Sequence, residues 1–136
     1  MRAGFGILAG LLLGIAVVAL VESAGHALFP PPAGIDPRSP ASLRAIMGDV
    51  PLPAKIAVLI AWGAGVLAGG TLAGWIARGR AWPAYVIGAA LLAMGAWTMA
   101  MIPHPWWMWA GALLITIAAA FAAGRLAARL SPARSA

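Results

Sequence analysis

The stretch Glu22-Ser-Ala-Gly-His26-Ala-Leu-Phe-Pro30-Pro31-Pro32 closes an apolar run and decides how the rest of the chain is read. It holds the only glutamate of the chain and one of its two histidines. Glu22 and His26 are four residues apart, which sets a carboxylate and an imidazole on one face of a continuing helix. Pro30 then disfavours helical geometry at Phe29 and stops the helix. Upstream, residues 3–21 are apolar without interruption, enough for about 28 Å of helix, close to the thickness of a bilayer core. A helix of this kind, ending in a polar pair and a proline stop, reads as a membrane helix arriving at a surface.

Composition extends the reading. Of 136 residues, 63% are hydrophobic and 9% charged, where soluble domains carry roughly 25% charged. The sequence predicts an all-α integral membrane four-helix bundle, one domain over 1–136, with membrane helices at about 3–28, 56–77, 82–102 and 105–128. The first run also has features of a secretory signal peptide, but such h-regions are about 7–15 residues long, so a retained anchor is expected. The net charge of +6 is spread over helix ends, which speaks for headgroups and orientation and against nucleic acid. Without cysteine there is neither disulfide nor thiolate chemistry.

The long outer loop, 29–54, is proline-rich. Pro30, Pro31 and Pro32 favour a stiff extended segment, and Asp36-Pro37 favours a turn. Ser39 suits a helix N-cap with Pro40 in the first helical position. Leu43, Ile46 and Met47 then share a face, and Gly48 suits the stop, so a short interfacial helix is expected at 40–47. The loop is either a lid or a stiff tether.

Small residues recur at four-residue spacing. Gly6, Gly10 and Gly14 form one row, Gly65/Gly69 and Gly70/Gly74 two more on different faces of the second membrane helix. Such rows allow close helix approach, within the chain or in a homo-oligomer. Extended by fours, the first row runs through Val18 to Glu22 and His26.

Arg2, Arg78, Arg80, Arg125, Arg129 and Arg134 fall at one set of helix ends, against Arg38, Arg44 and Lys55 at the other. The excess marks the cytoplasmic side. Both termini are therefore expected on the cytoplasmic side of the cell inner (plasma) membrane, with loop 29–54 and the turn Pro103-His104-Pro105 outside. Trp106, Trp107 and Trp109 beside the outer turn, and Trp75 and Trp82 beside the inner one, fit interfacial belts.

Together, the Glu22–Asp36 stretch, Ala61-Trp62-Gly63, Ala68-Gly69-Gly70 and Ile102-Pro103-His104-Pro105-Trp106 resemble a family of small, uncharacterised four-helix bacterial membrane proteins. The resemblance implies the fold and carries no activity. Small multidrug-resistance transporters are similar in size, helix number and an acidic residue in helix one, but theirs lies deep in its helix, whereas Glu22 lies towards a helix end.

Glu22, His26 and His104 all fall near the outer surface and make a candidate three-ligand set for zinc or another divalent ion, with Asp36 or Asp49 as further ligands. The ordinary alternative is a hydrogen-bonded anchor for the loop. The serines lack a nucleophile-elbow setting and no phosphate loop appears, so no enzyme is expected. A non-catalytic bundle that packs with itself or with partners in the lipid bilayer is the first reading, and an oligomeric small transporter the second. For the topology, single cysteines replacing Ser42 and Ser135 are expected to label from opposite sides of the membrane. Labelling of both by an impermeant reagent outside intact cells would overturn the orientation.

Overall fold

The structure is a computed structural model that describes residues 1–30, 33–36 and 39–131. Pro31, Pro32, Pro37, Arg38, Arg134 and Ser135, on which parts of the loop and orientation readings rest, lie outside the described residues. Among the described residues the chain is all-helical, with α1 (Arg2–Leu28), α2 (Pro40–Ile46), α3 (Leu52–Ile76), α4 (Trp82–Met101) and α5 (Trp106–Leu130) and no strand. The four long helices, α1, α3, α4 and α5, are each long and apolar enough to cross a membrane.

The helix ends follow local chemistry. α1 stops at Leu28, ahead of Pro30, with the Phe29 N–H closing on Gly25 O. The α2 N-cap Ser39 accepts from the Ser42 N–H at 3.3 Å. α2 ends at Ile46, not at 47, and without a left-handed glycine: Gly48 does not have positive φ. The Asp49 and Val50 N–H groups both bond Ile46 O instead, and Pro51 follows. α3 begins at Leu52, not at 56, because Pro51 is its cap and Pro53 sits in the first turn, where a missing N–H costs nothing. Lys55 is therefore inside the helix. α5 runs past 128 to Leu130. At the C-terminus of α3, Gly79 N–H reaches Gly74 O and Arg78 N–H reaches Trp75 O, both at 3.0 Å. This is a Schellman closure with Arg78 at φ 60 and Gly79 at φ 76.

α3 is the hub, packed against α1, α4 and α5, while α4 also contacts α1 and α5; α1 and α5 are not neighbours. Facing residues give the directions. Gly6 meets Ala73 and Gly14 meets Gly65, so α1 and α3 are antiparallel; Leu59 meets Gly111 and Gly74 meets Ala127, so α3 and α5 run parallel. α4 runs against both α3 and α5, through Gly70 on Ala84 and Gly124 on Ala81. The four long helices thus alternate in direction.

The helices are apolar all round, so residue size selects the buried face. The buried residues of α1 are Gly6, Gly10 and Gly14, while Phe5, Leu8, Leu12 and Leu20 are exposed. A methyl on Gly6 would meet Ala73 O at 2.8 Å, one on Gly14 would meet Gly65 O at 3.0 Å, and one on Gly10 would overlap Gly69 O. The glycine rows are therefore occupied within the chain, and the large apolar side chains face outward, compatible with a lipid environment. The larger buried side chains form two clusters, one around Leu59, Trp62, Met99 and Met108, the other around Val66, Ile87 and Leu91. Thr116 is buried on α5, its Oγ1 without a hydrogen-bond partner among the described residues.

Gly69→Leu is expected to lower the melting temperature in detergent sharply, because its first carbon already collides with Gly10 O. Gly4→Ala, on the same helix as Gly10 with nothing within 4 Å, is expected to be neutral or to stabilise by up to about 1 kcal/mol. Equal melting of the Gly69→Leu variant and the parent protein would remove the packing argument.

Candidate functional site: a chamber beneath α2

Where the glycine rows end, the helices part. Beyond Gly14 the facing positions of α1 are Val18, which reaches Gly65, and Glu22, which reaches Trp62. At Gly25 a Cβ would make only ordinary contact with Ala57, at 3.6 Å. A cavity of about 470 Å³ opens at this end, bounded by the last turns of α1, the first turns of α3, the end of α4 and the α4–α5 turn. Leu43 and Ile46 of α2, with Met47 and Val50 after it, supply apolar wall on the loop side.

Glu22, His26 and His104 all line this chamber, as does Asp49, but Asp36 does not. Among the described residues they form no three-ligand metal group. Glu22 instead accepts from the Trp62 indole, Nε1 to Oε1 at 3.1 Å. It lies six residues short of Leu28, about 9 Å of helix inside the end of α1. It is thus deeper than a surface anchor for the loop. His26 is one turn further out and exposed. His104 Nδ1 is 2.7 Å from Ile102 O. A carbonyl only accepts, so Nδ1 carries the proton and, in the neutral ring, Nε2 is left as an acceptor.

Two residues that spacing did not single out organise the site. Trp62 is buried, its ring over Gly95, where a Cβ would come within 2.5 Å of Cζ3. The small residue on α4 makes the space that lets the indole edge reach Glu22. Its signal in the sequence was a tryptophan in mid-helix among Gly and Ala, away from both interfacial groups. Arg44 donates Nε to Met101 O, tying α2 to the C-terminal end of α4. Such a contact satisfies a carbonyl left over by the helix and suits its dipole. With His104 on Ile102 O, two of the carbonyls at that end are used.

No family model, curated protein or solved structure matches the chain. The likeness to small four-helix bacterial membrane proteins therefore rests on the quoted motifs alone.

Trp62→Phe keeps an aromatic ring and removes the only donor to Glu22 among the described residues. It is expected to lower stability by about 1–3 kcal/mol, the scale of a hydrogen bond to a charged group lost at a half-buried site, whereas Trp97→Phe, at an exposed site, is expected to cost little. Thermal melting in detergent checks the pair, and equal loss at both sites would mean that the indole does not hold the carboxylate.

Proposed function

We propose that the chain is a multi-pass inner-membrane protein with both termini cytoplasmic and α2 at the outer interface, acting as a non-catalytic bundle that binds a small apolar molecule in the chamber. The observation that carries this reading is the chamber itself: about 470 Å³, in the size range of small-ligand sites. It has mostly apolar walls, a few polar groups and a wall helix fastened by Arg44. Ligand sites combine these features, with apolar surface for affinity and a few placed polar groups for orientation.

Binding is favoured over passage by the second core cluster, in which Val66, Ile87 and Leu91 are buried beyond the chamber. The α1–α3 contact of Gly10 on Gly69 also leaves no gap on that side. Self-association through the glycine rows would have to displace α1 from α3, so contacts with other copies or partners are assigned to the outward Leu, Ile and Phe faces.

In nanodiscs, the neutral probe N-phenyl-1-naphthylamine is expected to bind saturably above the level of empty nanodiscs. Ala54→Trp, which places an indole in the chamber wall, is expected to abolish the saturable part. Non-saturable uptake, or uptake indifferent to Ala54→Trp, would overturn the reading.

A further inference from the structure

Glu22 is the one carboxylate within the four long helices, and its partner is a neutral donor, the Trp62 indole. Among the described residues no Lys, Arg or His forms an ion pair with it. Its second oxygen is left to the chamber.

Two further polar groups on the chamber wall have committed a proton to a backbone carbonyl. The Thr98 hydroxyl spends its proton on Met94 O at 3.1 Å, so its oxygen is left only to accept. His104 spends Nδ1–H on Ile102 O, which in a neutral ring leaves Nε2 as an acceptor. Glu22, Thr98 and His104 all line the chamber. A carboxylate and a hydroxyl whose own proton is committed complement a group that only donates, and an ammonium has up to three N–H donors and no acceptor.

We infer that the chamber's ligand is a small amphiphilic amine, its protonated nitrogen on Glu22 and its apolar body against Leu43 and Ile46 of α2 and Met47 after it. This rests on the chamber being a binding site. An ammonium beside one carboxylate in an apolar enclosure makes a charge-assisted hydrogen bond that water screens weakly. A divalent ion asks for several anionic or imidazole ligands converging on one point, which the described residues do not provide. Depth separates this ligand from a bilayer phospholipid. Glu22 faces Trp62, about 10 Å further along α3 than Lys55, and the apolar wall of α2 is at the outer end. The ligand charge therefore points inward and its body outward, the reverse of a lipid in the adjacent leaflet. The other charged groups at the chamber, His26, Asp49 and Lys55, belong to its outer part.

The test is equilibrium dialysis of 2-(1-naphthyl)ethylamine and its uncharged N-acetyl derivative against the protein in nanodiscs, with empty nanodiscs subtracted. The amine is expected to bind roughly tenfold or more tighter than the amide, the scale of one hydrogen bond to a charged group. In Glu22→Gln, which keeps an oxygen for the Trp62 N–H, that preference is expected to vanish, amine and amide then binding alike. Thr98→Val is expected to narrow the preference without removing it, and serves where Glu22→Gln does not fold. Equal binding of amine and amide by the parent protein, or a preference that survives Glu22→Gln, overturns the amine assignment and leaves the chamber standing. Saturable binding of neither probe overturns both.

Discussion

The contact of α1 with α3, backbone against backbone, is the constraint on which the rest of the structure depends. Gly10 and Gly69 approach so closely that neither position has room for a Cβ against the carbonyl opposite. Such contact gains dispersion along a whole helix length without any large side chain. It also leaves α3 free to meet α4 and α5 on other faces, where Gly70 lies on Ala84 and Ala123, and Gly74 on Ala127. A hub surrounded by three helices is possible because this helix carries small residues on several sides.

The chamber is a consequence of the same constraint. Small residues press α1 and α3 together from Gly6 to Gly14. Larger ones follow at Val18 and Glu22, and the contact at Gly25 is already loose. The helices part towards the loop end, and the gap is bordered by α2 because Arg44 is drawn to the terminal carbonyl of α4. Among the described residues one polar contact crosses the gap, Trp62 to Glu22. In surroundings this apolar a carboxylate needs such a partner, and Gly95 makes room for it. The Glu22–Trp62 contact is therefore supplied by three helices, none of which forms it alone.

Much was open to reading in the chain itself. Uninterrupted apolar length determined four long helices, because a helix satisfies its own backbone groups and such runs have few other solutions in lipid. The small-residue rows marked the faces of α1 and α3 that pack, because only Gly and Ala permit close approach, and the first row correctly led on to Glu22. The early start of α3 at Leu52 was misjudged because Pro51 and Pro53 read as loop, although a helix tolerates proline in its first turn.

Glu22 and His26 were paired by their four-residue spacing, and such spacing tells only that two side chains share a face. What each one touches depends on which helix lies opposite and at what height. Tertiary structure decided that Glu22 faces Trp62, that His104 turns to its own backbone, and that Arg44 reaches Met101 across the fold. These contacts join residues distant in sequence through the rotation and offset of whole helices, quantities set by the sum of many packing contacts and written in no local motif. Length, polarity and residue size thus determined which helices form and which faces meet. The partners of the few polar groups, and with them the chemistry of the chamber, were decided only when the helices came together.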